Sequence, residues 1–539
     1  MRRCVPVIAV LLTIAQAAAT QESHHHAPTA RALGSVSFVN SGAPAAQVPF
    51  LRGIALLHSF EYDDAAAAFR EAQRADTGFA LAYWGEALTN SKLLWGLEDL
   101  PAARAALVRL APTAAERLAR ARTPRERAWG AAVEAFYADA DVSHRTLAYA
   151  DSMRLLAKAW PADHEAAAFA AVALLMAANT ADLAPGQDTV LRNEAIVLAT
   201  RVYRANPRHP GATHYLIHAY DDPALAARGL EFARAYARIA PDAEHALHMP
   251  SHIFLQVGRW DDVVQANERA WAASRADARR HGGSAAQLDF HALEWLQYGY
   301  LEQGRHAAAR ALIDTAAAVL KGADLAADAD MRFAVPSLTF AWAAASGRWE
   351  STAGLVEPAP APATASARER AFTRIAGFQA GYAAAMRGDT ALAMRTLRQL
   401  RTALDSFPAE SQRGRRLSFL GAQLEGAMAM ERGESARAVE LLGRWADVDN
   451  HSSPGGPPWY PPVGEQLGAA LLATGHPREA AAAYEAALTA RANRSESLAG
   501  LVRARLRLAD AAGAAAARRK LAANWHAADP DVRRSIQTP

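Results

Sequence analysis

The chain has 539 residues, with 58 Lys and Arg against 55 Asp and Glu, and a formal charge of +3. A charge this small, with no concentrated basic run, argues against nucleic acid as a partner. The single cysteine, Cys4, lies at the extreme N-terminus, so disulfide frameworks and zinc–thiolate sites are excluded.

Residues 1–19 read as a signal peptide: Arg2 and Arg3, an apolar stretch from Val5 to Ile14, then small residues at a cleavage site. Cleavage leaves a cysteine-free protein with a charge of +1. The expected location is therefore outside the cytoplasm, periplasmic or secreted. Nothing later in the chain is apolar for long enough to suggest a membrane span. Residues 20–45, including His24-His25-His26, read as a flexible, solvated segment.

From residue 46 the chain alternates alanine-rich helical stretches with short glycine turns. The turn glycines at 258, 304, 347, 388, 433 and 475 are spaced by 46, 43, 41, 45 and 42 residues. Ala309, Ala393, Ala438 and Ala480 each follow a turn glycine by five residues, where two helices must approach closely. Such periodicity predicts stacked antiparallel helix pairs. The repeats are expected over 46–355 and 369–539, around a Pro/Ala loop at 356–368. Two further segments, 179–190 and Asn450 to Pro462 (NHSSPGGPPWYPP), read as loops because Pro and Gly interrupt any helix.

Gly53, Leu56, Ala65, Phe69 and Ala72, and again Gly468, Leu471, Gly475, Ala480, Tyr484 and Ala487, fit the tetratricopeptide repeat. The chain resembles that repeat, which implies an all-α, TPR-like α-solenoid of antiparallel helix pairs wound into a superhelix. ATHYLIHAYDDP, HALHMPSHIFLQVGRW and GPPWYPPVGEQLGAALLATG also resemble blocks of exported bacterial tetratricopeptide-repeat proteins. That resemblance bears on fold and compartment, not on activity.

Chemistry is concentrated in one place. Of 18 histidines, five fall between His214 and His252. His214 and His218 share a face of a helix expected from Pro210 to Tyr220. A second helix is expected to end at Ala240, and a third to start at Pro241-Asp242. His245, His248 and His252 follow at i, i+3 and i+7, although Pro250 interrupts that run. Repeat phase places His214, His218, His248 and His252 on adjacent groove-lining helices, as candidate ligands for zinc, copper or iron. His245, His291, Glu294, Tyr298 and Glu165 are candidates for the surrounding groove, and Asp221 and Asp222 for orienting carboxylates. His58 is expected to lie too far away. No HExxH motif, nucleophile elbow or phosphate-binding glycine loop is present. Two functions follow: a scaffold binding a peptide, protein or small ligand in a His-rich groove, or a transition-metal protein using the four histidines.

Overall fold

The computed structural model describes residues 32–95, 97–326, 328–362, 365–406, 411–451 and 455–535. The signal peptide expected at 1–19 and the His24–His26 run lie outside them. Residues 32–535 belong to one compact unit. It is an all-α, TPR-like superhelix, in which most helices pack on their neighbours in sequence. Among the described residues the exception is a two-stranded ribbon, Ser91–Lys92 against Leu97–Glu98.

The repeat is built on aromatic side chains that need glycine opposite them. Phe69, on helix Tyr62–Ala75, is fully buried between Gly53 and Gly85. A Cβ at either glycine would lie 2.7 or 2.6 Å from its ring. Tyr484, on helix Pro477–Ala490, occupies the same kind of slot between Gly468 and Gly500. A methyl group at Gly500 would sit 2.2 Å from the Tyr484 ring. Gly500→Ala is therefore expected to cost about 1–3 kcal/mol through overpacking, read as a lower urea midpoint. An unchanged midpoint would show that this slot has slack.

The six turn glycines all adopt left-handed backbone, with φ from 67° at Gly258 and Gly304 to 78° at Gly475. That conformation closes a helix with little strain only for glycine. Ala309, Ala393, Ala438 and Ala480 have no solvent exposure, consistent with close helix approach at each turn.

Some segments differ from expectation. The stretch expected to be flexible over 20–45 is pinned from residue 32 onward. Ser35 donates to the Arg208 carbonyl at 2.9 Å, Ser37 N–H to Glu165 at 3.1 Å, and Ser41 N–H to Glu126 at 2.6 Å. Leu33 and Phe38 bury their side chains, which anchors the segment apolarly as well. The 179–190 loop is shorter than expected, because helices end at Thr180 and resume at Gln187. Asn450 belongs to helix Ala446–His451 rather than to the following loop.

The 356–368 loop does not divide the chain into separate bodies. Trp260 Nε1 donates to the Asn493 carbonyl at 3.0 Å, and Asn493 Nδ2 to the Gly258 carbonyl at 2.9 Å. Arg494 reaches Glu302 at 2.7 Å. The last repeats thus close back onto the central ones. No helix among the described residues is long and apolar enough to cross a membrane.

Candidate metal centre

Helix Pro210–Tyr220 starts where His209 caps it, its Nδ1 accepting from Ala212 N–H at 3.0 Å, with Pro210 in the first turn. This helix carries His214 and His218. Helix Glu244–His248 runs into helix Pro250–Gln256 through Met249, whose backbone stays helical at φ −53° and ψ −35°. Pro250 removes one hydrogen bond without redirecting the chain, so His245, His248 and His252 keep a common side. Helix Phe290–Glu302 contributes His291.

The rings do not close into the expected set of four. Nitrogens of His214, His218 and His245 lie within 4.8 Å of one another, and so do those of His248, His252 and His291. The candidate ligands His214, His218, His248 and His252 are thus divided two and two between separate triads. His245 and His291, expected only to line the groove, complete them. The physical cause is the length of the row. His245 is seven residues, about 10 Å of helix rise, from His252, so the two ends meet different neighbouring helices.

Outer contacts orient the imidazoles. His214 Nδ1 donates to the His58 carbonyl at 2.7 Å. His248 Nδ1 meets Asn267 Oδ1 at 2.7 Å, while Asn267 Nδ2 donates to the Val263 carbonyl at 2.8 Å. His252 Nδ1 donates to Asp221 Oδ2 at 2.7 Å, and Gln256 holds the other carboxylate oxygen at 2.9 Å. In each of these rings Nδ1 faces an acceptor and donates to it, which leaves Nε2 as the nitrogen that offers a lone pair when it carries no proton. His248 Nε2 and His252 Nε2 then face each other at 3.2 Å. His214 Nε2 and His245 Nε2 are also 3.2 Å apart. His218 Nε2 is buried and has no hydrogen-bond partner.

The setting favours neutral imidazole. His214 and His248 have no solvent exposure. Burial pushes the His214 pKa down to about 3. It holds His218, His245 and His248 well below the usual histidine range, and the neighbouring imidazoles push them further the same way. Aromatic side chains surround the triads. Phe60 stacks on His245 at 5.4 Å, and Trp95 meets the same ring edge-on at 5.2 Å. Trp295 lies 4.4 Å from His252.

Glu165 and His58 do not fit their expected places. Glu165 is fully buried away from the groove, 2.8 Å from His58 Nε2 and 3.3 Å from His209 Nε2. His58 Nδ1 pairs with the Tyr215 hydroxyl at 2.8 Å. These three titratable groups are close enough to chelate an ion, but each ring nitrogen already has a protein partner, as a structural network requires. His58 is not remote either: its carbonyl orients His214. The superhelix brings helix Pro44–His58 beside helix Pro210–Tyr220, a proximity that repeat spacing alone does not reveal. Asn267 and Trp95 carried no sequence signal, whereas Asp221 was recognisable as a carboxylate ending the first His helix.

Glu294, one turn beyond His291, lines a cavity of about 800 Å³ with Tyr298, Trp459, Tyr460 and Tyr382. Burial, with Asp330 and Asp289 nearby, raises the Glu294 carboxyl to about 8, against an opposing pull from Arg368. Tyr298 lines the same cavity with its hydroxyl held by Arg494 at 2.7 Å.

No known family profile matches the sequence, and no curated protein does. Solved structures give distant likenesses. The human IFIT1 dimer with m7Gppp-AAAA is 11% identical, covering 92% of each chain with a TM-score of 0.36. Yeast Tom70 is 10% identical, covering 91% of this chain and 94% of its own, with a TM-score of 0.34. The TPR domain of P58(IPK) is 11% identical, covering 86% and 98%, with a TM-score of 0.20. Likenesses this distant carry nothing about ligand or activity.

Proposed function

We propose that this protein is an exported transition-metal protein, a TPR-like scaffold that holds metal ions at its two histidine triads. One observation carries the reading: His248 and His252 aim their Nε2 lone pairs at each other across 3.2 Å, with both Nδ1 hydrogens engaged by acceptors. Two lone pairs at that distance repel unless a cation joins them. A shared proton would serve that one contact, but not the buried, unpartnered Nε2 of His218 in the other triad. A metal ion in each triad answers both. Three imidazoles also leave an open coordination position for water or substrate. Zinc, copper and iron all accept such donors.

The second reading, a groove for a peptide, protein or small ligand, draws on the 800 Å³ cavity beside Glu294. Its volume suits a small organic molecule. The two readings are compatible if that ligand is acted on by the metal.

The test is metal analysis of tag-free protein with His24, His25 and His26 replaced by alanine, which removes binding by the tail. Near-stoichiometric zinc, copper or iron is expected, falling at least tenfold in a His218→Ala/His252→Ala variant whose helical circular dichroism is unchanged. The reading fails if no metal exceeds background and none raises the melting temperature.

A further inference from the structure

Beyond binding metal, the arrangement points to a specific pairing. We infer that the two triads together hold one pair of copper ions, and that this pair binds dioxygen between its members. The inference rests on the reading that the triads bind metal.

The two triads are contiguous. The triads are not separated by a wall of protein: His218 and His252 have ring centroids 6.0 Å apart, as do His245 and His248. These four rings bridge one triad to the other, so ions seated in both are near neighbours.

All six inner donors are imidazoles; the Asp221 carboxylate is engaged by His252 Nδ1 and Gln256. Neutral ligands leave the charge of the ions uncompensated inside an aromatic shell of Phe60, Trp95 and Trp295. Repulsion scales with the product of the charges, so two dications repel about four times as strongly as two monocations at the same spacing. Such a pocket tolerates two Cu(I) ions, and after oxidation it needs a bridging anion. Dioxygen becomes that anion in the same step. Each Cu(I) gives up one electron, the two electrons enter dioxygen, its π bond is lost while the O–O single bond stays, and no proton is required. The product is two Cu(II) ions sharing a peroxide dianion. Zinc has no second oxidation state with which to do this, and copper is the tightest-binding of the divalent first-row ions at nitrogen sites.

Access completes the geometry. His291 is exposed, so the second triad has an open side. The next turn of its helix carries Glu294, which lines the 800 Å³ cavity; none of the six histidines does.

The experiment loads full-length, metal-free protein with Cu(I) under nitrogen and then admits oxygen. Expected are two copper ions per chain, uptake of one dioxygen per two copper, and an oxidised form whose electron paramagnetic resonance accounts for less than a tenth of the copper, because the two spins are coupled. His252→Ala should retain one copper that gives its full signal after oxidation. Two copper ions with full, uncoupled signal, or a single copper per chain, would overturn the binuclear inference while leaving metal binding intact. So would exclusive loading with zinc when both ions are offered. No uptake of any metal would overturn both.

Discussion

Replacing Glu165 by alanine is expected to cost about 3–5 kcal/mol, because several buried hydrogen-bond donors lose their acceptor together at about 1–3 kcal/mol each. The carboxylate has no solvent exposure and accepts from Ser37 N–H as well as facing His58 and His209. Burial works against its charge, yet the two histidines outweigh that penalty and hold its pKa below the usual carboxylate range. Without it, two buried imidazoles and one backbone N–H lose their partner together. The N-terminal segment loses an anchor, and the His58 carbonyl that orients His214 becomes free to shift. The melting temperature should fall by several degrees, and protease should cut near residue 37 more readily. Glu165→Gln keeps the shape and one acceptor, so it should recover some of the loss. If alanine there leaves melting and proteolysis unchanged, the network is not a structural anchor.

The metal-free protein should also be sensitive to mild acid. Unfolded histidines bind a proton near pH 6.5, whereas burial lowers the folded pKa of His58, His214, His218, His245 and His248. Below about pH 6.5 the unfolded chain therefore holds more protons than the folded one, and stability falls as pH falls. Each group contributes up to about 1.4 kcal/mol per pH unit until its folded pKa is reached, which for His214 is about 3. The five groups act in the same direction, so their losses add as pH falls. Glu165 acts in the same direction at lower pH, because its stabilisation is present above its unfolded pKa and lost as pH drops through the acid range. Circular dichroism of metal-free protein should show unfolding beginning between about pH 6.5 and 5. Full helicity retained down to pH 4 would show that the rings are hydrated in solution.

Much of the architecture was legible in the chain itself. Glycine at the helix turns is a local requirement of backbone geometry, and its spacing of 41 to 46 residues announced the array. The bounds of helix Pro210–Tyr220 were equally local, with proline in its first turn and Asp221-Asp222-Pro223 after its end. Helical spacing also named the histidines, because i, i+3, i+4 and i+7 follow from 3.6 residues per turn.

What the chain alone did not determine is which histidine meets which. His245 and His248 are three residues apart on one helix, yet they serve different triads. Their partners are set by where helices Pro210–Tyr220 and Phe290–Glu302 cross that row, which depends on packing summed over several repeats. The same winding carries His58 to His214 across 156 residues and Glu165 to His58 across 107. Local periodicity specifies the face of a helix on which a side chain lies. Only the superhelical stacking of those faces decides what lies opposite, and here that is six imidazoles divided three and three.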